Sequence, residues 1–497
     1  MNKWFRNWQA AVAVLVTIAV LGIFMAGSPS RGIADSVKGG ESYTGKTPKY
    51  IFMFVGDGMS YPQVSSAEMF LGQQAMPGKI TPKQLNFTRF PTHGALMTQD
   101  SSSFIPDSAS TATSLASGHK TLSGVINMDE TKTKEYRPIT EDLKAKGYKI
   151  GIITSVPITH ATPAAFYAKV ASRNDAYDIG QQLAASGFDF FGGGSFDQPT
   201  GPEKDQPHIF EVVKNAGYKV VNNKDEILAL NSESGKVVAI NPELDGTAMD
   251  YEIDRQAGEL SLADFVQKGI DVLDNPKGFF MMVESGKIDW AGHANDAAAS
   301  IHDTIAFGDA IQKALEFYKK HPNETLILVT ADHECGGMTI GFANTEYDTF
   351  FNKLQPVTMS FVDFGKIFDQ YRKTVTRDTA KLEDLQDEIK AGYGLTMADL
   401  SDYEIGLLRK ALDWSMIPTE ERKYTDQEKI LYGTYEPFTV TLCHIINNKA
   451  GLSYTSYSHT GVPVPVYALG LGDELFDGFY DNTEIYYKLA AVTNIKN

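Results

Sequence analysis

Cysteine is scarce in this chain: Cys335 and Cys443 are the only two in 497 residues. Two is too few for a disulfide framework, so the fold must stand on its buried core. Both read as buried thiols, with a single bridge between them left open. Basic residues are in deficit as well. Lys plus Arg number 45 against 62 Asp plus Glu, for a net charge of −17. That balance argues against nucleic acid as a specific partner, because a phosphate backbone needs a basic footprint. An anionic small molecule would need positive charge supplied locally, by bound metals or an arginine. Long apolar runs are nearly absent. Residues 7–30, after Lys3 and Arg6, carry no charge, and their apolar part is 10–27. A single such segment argues against a multi-span membrane protein. Gly32-Ile33-Ala34 resembles a cleavage site. The run is long for a cleaved signal and barely long enough to span a bilayer. Residues 1–34 are therefore expected to be a signal peptide or, uncleaved, an N-terminal anchor. Either way the protein is exported: periplasmic, secreted or at the cell surface. No internal repeat or low-complexity tract is evident.

What is present is ordinary for a protein with a large core, at 42% hydrophobic and 22% charged residues. Length alone suggests about three domains. The motifs below argue instead for one large domain, since ligands of one site run from Asp57 to His459. Residues 35–48 are polar and read as a linker to a domain over 49–497. Apolar runs near 50–55, 93–98, 149–155, 188–191, 279–284, 325–330 and 463–469 read as strands. Most alternate with helical patterns, such as Ser261 to Leu273 and Ala297 to Tyr318. This predicts an α/β fold: a mostly parallel central sheet with helices on both faces. Residues 355–435 are rich in Lys, Glu and Asp, with helical patterns over Thr379 to Ala391 and Met397 to Trp414, and read as a helical insertion. Residues 195–260 are rich in turn formers and give no clear pattern.

The densest chemistry follows the run Gly278-Phe279-Phe280-Met281-Met282. Glu284 falls where that strand stops, and Asp289 and His293, four residues apart, share one face of a helical turn. Two more runs repeat the arrangement. Ile51 to Val55 leads into Gly56-Asp57-Gly58, and Leu326 to Thr330 leads into Ala331-Asp332-His333. Three buried parallel strands would thus deliver carboxylates to one edge of one sheet, where α/β proteins build their sites. The metal-ligand candidates are Asp57, Glu284, Asp289, His293, Asp332, His333 and His459. Carboxylates converging without cations would repel one another. Mixed Asp/His ligation suits zinc, and carboxylate plus hydroxyl ligation suits magnesium.

Each motif also has a bland reading. An Asp between glycines is usually a turn. A lone Asp-x-x-x-His is usually a helix-surface pair, and Asp-His often opens a capped helix. Their shared position after buried strands shifts the weight. Ser108 is the nucleophile candidate. Pro106-Asp107 followed by small residues reads as a helix N-terminus, where a hydroxyl feels the dipole and free N–H groups. Nothing local picks Ser108 over Ser110. Cys335, two residues after His333, reads as a packing or supporting residue.

The chain resembles the alkaline phosphatases from Lys49 to about Leu489. The motifs that carry this are Val55-Gly56-Asp57-Gly58-Met59, Asp107-Ser108-Ala109, His160 to Ala165, Ser172-Arg173, Glu284 to His293, Thr330 to His333 and His459-Thr460-Gly461. The resemblance implies a metal-dependent hydrolase of phosphate monoesters that forms a phosphoserine on Ser108. It implies one zinc on Asp289, His293 and His459, and a second on Asp57, Asp332 and His333. Magnesium would lie on Asp57, Thr162 and Glu284, with Arg173 as the phosphate clamp. It also implies a homodimer.

Two positions depart from the best-known bacterial pattern. His160 stands where that pattern has Asp, and Trp290 where it has Lys. Both would touch magnesium and phosphate through water. His160 leaves the third site open to zinc as well, since imidazole accepts it. Two other readings fit the sequence less well. A phosphodiesterase or sulfatase of the same superfamily would show Thr as nucleophile or a Cys/Ser-x-Pro-x-Arg motif, which Ser108 and its neighbours do not match. An inactive exported metal- or phosphate-binding protein would lack a ligand or the nucleophile, and none is missing. The remaining histidines read as structural, with His119 a possible supporting residue and His321 placed at a helix end.

Overall fold

The computed structural model describes residues 43–496. Residues 1–34, where a signal or anchor is expected, lie outside them. Among the described residues, no helix is long and apolar enough to cross a membrane.

Ten strands form one sheet. In chain order they are β1 (Tyr50–Gly56), β2 (Thr92–Met97), β3 (Lys149–Thr154), β4 (Phe190–Gly193), β5 (Lys219–Val221), β6 (Val237–Ile240), β7 (Phe279–Ser285), β8 (Thr325–Ala331), β9 (Val464–Gly470) and β10 (Gly478–Asp481). Across the sheet the order is β10, β2, β9, β8, β1, β7, β3, β4, β6, β5. Only β9 runs against its neighbours, pairing antiparallel with β2 and β8. The sheet is therefore mostly parallel, as the alternating pattern predicts. Every residue of β1, β7 and β8 is buried. That is the signature of central strands covered on both faces, and it explains why they read as unbroken apolar runs rather than alternating ones.

Register places the chemistry. Gly56 pairs with both Ser285 and Ala331, and Glu284 pairs with Val55 and Thr154. Asp57 and Asp332 thus leave the sheet side by side, with Glu284 at the same level. The helices Leu262–Leu273 and Ala297–Tyr318 form where the apolar spacing predicts, and pack on each other and on the sheet.

Two regions differ from expectation. Residues 195–260 hold the helix Ile209–Asn215 and extend the sheet with β5 and β6. These strands are three and four residues long, too short to rise above the turn formers around them. Within 355–435 the α-helices are Phe361–Thr374, Gln386–Tyr393, Asp402–Ser415 and Asp426–Tyr432. The expected Met397–Trp414 helix starts later, because the Ser401–Glu404 capping box opens a new helix at Asp402. The expected Thr379–Ala391 helix starts at Gln386, after a 3-10 stretch over Leu382–Leu385. Cys335 and Cys443 are both buried and free.

Candidate active site

Three side-chain groups meet at the C-terminal edge of β1, β7 and β8. In the first, Asp289, His293, Cys335 and His459 bring ligand atoms within 4.8 Å of one another. Asp57, Asp332 and His333 do the same, as do Asp57, His160 and Glu284, with Asp57 shared between these two groups. The sequence-derived ligand set is thus gathered in one place. Thr162 joins it, donating from Oγ1 to Asp57 Oδ2 at 3.3 Å.

Asp289 and His293 face together because the helix Lys287–His293 sets them one turn apart. Their Oδ2 and Nε2 lie 3.4 Å apart, and His459 Nε2 lies 3.4 Å from Asp289 Oδ1. His293 Nδ1 is 2.7 Å from the Tyr457 carbonyl, and His459 Nδ1 is 2.7 Å from that of Pro106. A carbonyl only accepts, so each Nδ1 carries the proton. The two Nε2 atoms are left 3.1 Å apart. Two such lone pairs need a proton or a cation between them, and outer carbonyl contacts of this kind are how proteins orient metal-binding imidazoles.

Gly58 allows this closeness. Its φ is +72°, and a Cβ there would sit 2.8 Å from the Asp289 Cα and 2.9 Å from the Cys335 Cβ. Cys335 itself stays a thiol: burial, then the charge of Asp289, pushes its pKa well up.

The second group is fully enclosed. Asp332 Oδ1 accepts from the Gly58 and His333 backbone N–H groups, at 3.2 and 2.9 Å. His333 Nε2 lies 3.2 Å from Asp332 Oδ2 and 3.4 Å from Asp57 Oδ1. Burial, then the neighbouring carboxylates, pushes Asp57 far above the ordinary range, and Asp332 up to about 7. Burial also holds His333 well below its usual value. Asp289 behaves oppositely: burial opposes its charge, but His293 and His459 outweigh it and hold the carboxyl well below normal. Burial likewise opposes the charge on His293, yet Asp289 raises it to about 9.

Several of these atoms have no hydrogen-bond partner although buried: Asp57 Oδ1, Glu284 Oε1, Asp289 Oδ1, Asp332 Oδ2 and His160 Nδ1. Orphaned acceptors converging at this density are costly unless cations complete them. The donor set therefore fits metal ions.

Ser108 opens the helix Ser108–Ser117 and is buried, with Oγ 3.1 Å from His333 Nε2. Ser110 points elsewhere, to Asp100 and Asp107. The geometry thus separates two serines that the sequence left equal. Asp107 caps the helix, accepting from Ser110 N–H at 3.0 Å and from Gly124 N–H at 2.9 Å. Arg173 Nη1 donates to the same carboxylate at 3.0 Å, and its Nη2 meets His160 Nε2 at 2.9 Å. Burial opposes the charge on Asp107, but Arg173 and the capping donors outweigh it and lower its pKa. The fork is held by Asp107, not by nearby Asp175. His160 Nδ1 lies 3.7 Å from Glu284 Oε1, and its ring meets Trp290 edge-on at 6.2 Å.

Sequence reasoning missed Asp107 as an Arg173 partner, and Thr154, which donates to Glu284 Oε2. The Pro106-Asp107 cap marks the first, and the β3 register marks the second. His119 stacks on Tyr136 at 4.1 Å, and His321 pairs with Glu324 at 3.5 Å.

A family model described as alkaline phosphatase matches residues 48–495. The chain belongs to the alkaline phosphatase family. Family and fold make it an enzyme that hydrolyses phosphate monoesters. It is 29% identical over 508 residues to alkaline phosphatase 4 of Bacillus subtilis, covering 97% of this chain and 96% of that protein. A cold-active alkaline phosphatase from a psychrophilic Shewanella species superposes with a TM-score of 0.73 at 27% identity, over 90% of this chain and 100% of that one. The Thermus thermophilus alkaline phosphatase shares the fold, with a TM-score of 0.77 at 22% identity, over 95% of this chain and 96% of that one.

Proposed function

We propose that this alkaline phosphatase cleaves phosphate monoesters through a phosphoserine on Ser108 and depends on metal ions. Asp289, His293 and His459 would hold one zinc, and Asp57, Asp332 and His333 a second. Asp57, Thr162 and Glu284 would hold magnesium, with His160 close enough to let zinc compete there. Bound ions of this kind supply positive charge that lowers the pKa of an oxygen nucleophile and stabilises charge on transferring and leaving oxygens.

The remaining work falls to the chain. The cap at Asp107 fixes the first turn, so Ser108 Oγ is aimed into the cluster rather than along its own helix. In the first step Oγ attacks phosphorus, the ester P–O bond breaks and the alcohol departs with a proton. In the second, water attacks the Ser108 phosphoryl group and phosphate leaves as the Ser108 hydroxyl is restored. Arg173 presents a planar fork to two phosphoryl oxygens, a match that a lysine ammonium cannot make. Asp107 and His160 hold that fork in place before substrate arrives, at 3.0 and 2.9 Å. Because the main grip is on the phosphoryl group, a broad range of small-molecule esters is expected.

The observation that carries this reading is Ser108 Oγ sitting 3.1 Å from His333 within a set of orphaned, buried carboxylates. The test is hydrolysis of an aryl phosphate at alkaline pH by chelator-stripped protein, before and after zinc and magnesium are returned. Activity lost and then restored supports the reading, whereas full activity after verified stripping contradicts it. We further propose export through residues 1–34 and a homodimer, checked by N-terminal sequencing of the exported protein and by light scattering.

A further inference from the structure

Beside the metal-ligand cluster lies a cavity of about 400 Å³, within the range that small-molecule sites occupy. It belongs to none of the three ligand groups, but His293 lines it too. Its walls are Asp245, Tyr251, Trp290, Phe361, Val362 and Tyr435, one carboxylate among side chains that are otherwise aromatic or apolar. Phe361 and Val362 come from the first turn of the helix Phe361–Thr374, so residues 355–435 contribute directly to a cavity beside the active site. The aromatic wall is braced. Phe361 meets Tyr251 at 5.8 Å and Tyr435 at 5.9 Å, both near edge-on. The start of that helix is fixed by Ser360 N–H to Asp254 at 2.7 Å and Phe361 N–H to Asp296 at 2.8 Å. Lys287 forms the floor. Its side chain is fully buried, and Nζ has no hydrogen-bond partner. The ammonium lies 4.1 Å from the Tyr251 ring centre and 4.8 Å from that of Trp290. The Asp245 carboxylate in the lining would repel an anionic group.

We propose that this cavity is a subsite for the alcohol half of the substrate, and that it takes an uncharged aromatic group. The proposal rests on the reading of the Asp289, His293 and His459 cluster as part of the catalytic centre. His293 belongs to both the ligand group and the cavity lining. An ester whose phosphoryl group lies against the cluster has its alcohol free to extend past His293, and the aromatic wall is what lies there. Burying a ring among such side chains is favourable through both apolar area and edge-to-face contact. Small alkyl esters would leave the cavity unfilled.

The test compares benzyl phosphate with ethyl phosphate, whose leaving alcohols differ little in acidity, on the full metal-loaded enzyme. The expected result is a kcat/KM on the order of tenfold higher for benzyl phosphate. The ratio should fall toward one in Val362→Trp, which fills the cavity, and in Phe361→Ala, which opens its wall. Equal kcat/KM for the two esters in the unaltered enzyme would overturn the subsite while leaving phosphatase activity intact. A ratio unchanged in both variants would also overturn it. Hydrolysis of neither ester by the unaltered enzyme would sink the phosphatase reading, and the subsite with it.

Discussion

Removing the metals should make stability fall as pH rises. Two pairs of carboxylates share the cluster, Asp57 with Asp332 and Asp57 with Glu284, each bringing ligand oxygens within 4.8 Å. Two full charges at 4.8 Å repel by about 3.5 kcal/mol at an effective dielectric of about 20, from 332/(20 × 4.8). Burial adds to that repulsion. Asp332 moves from 3.8 to about 7 in the folded protein without metal, and three units at about 1.36 kcal/mol each come to about 4 kcal/mol. The sign follows from proton counting. Between those two pKa values the folded chain holds more protons than the unfolded one, so stability falls as pH rises. It is fully present below about 4 and lost once pH passes 7. His293, raised to about 9 by Asp289, acts in the same direction: its stabilisation is present below the unfolded value of 6.5 and lost as pH rises through 9. His333, held well below its usual value, acts the other way only below about pH 6.5, so scanning calorimetry of stripped protein at pH 6.5 and pH 9 should show a Tm lower at pH 9 by roughly 3–6 °C. The loaded protein should lose that dependence, because bound cations replace the protons. A stripped protein whose Tm is flat or rises across this range would refute the electrostatic account of the cluster.

Arg173→Lys removes the fork but keeps the charge, and should lower kcat/KM by roughly ten- to a hundredfold, the size of one charge-assisted hydrogen bond; an unchanged value would remove Arg173 from phosphate binding. Gly58→Ala should cost about 1–2 kcal/mol for the left-handed backbone alone, and its Cβ, 2.8 Å from the Asp289 Cα, should also weaken zinc binding in a chelator competition. Trp290→Lys should lower the inhibition constant for phosphate by roughly three- to tenfold, as one added charge acting through water would. Unchanged or weaker phosphate inhibition in that variant would show that Trp290 does not set product affinity.

The parts of this molecule that were legible in sequence are those where one physical requirement dominates. β1, β7 and β8 are buried on both faces, so their apolar runs are unbroken, and the ligands follow at once. The helix after Asp107 announces itself through its cap. β5, β6 and β10 are not legible, since strands of three or four residues have too few positions to show a period; β4, equally short, is legible only through its Phe190-Phe191 pair. The choice of Ser108 over Ser110 is a matter of which hydroxyl faces His333, and that is tertiary. Arg173 finding Asp107 is likewise a contact across 66 residues. Lys287 shows the limit most plainly. In sequence it is a charged residue beside Asp289, and nothing there says that it is buried under Tyr251 and Trp290.

The most direct measurement traps the covalent species. Metal-loaded enzyme turning over an aryl phosphate is quenched in acid, digested and mapped by mass spectrometry. The account predicts a phosphoryl group on the peptide carrying Ser108, at the hydroxyl of that residue, and none on Ser108→Ala protein treated alike. Active enzyme with no phosphorylated peptide, or with phosphate on Ser110 or Ser114 instead, would contradict it.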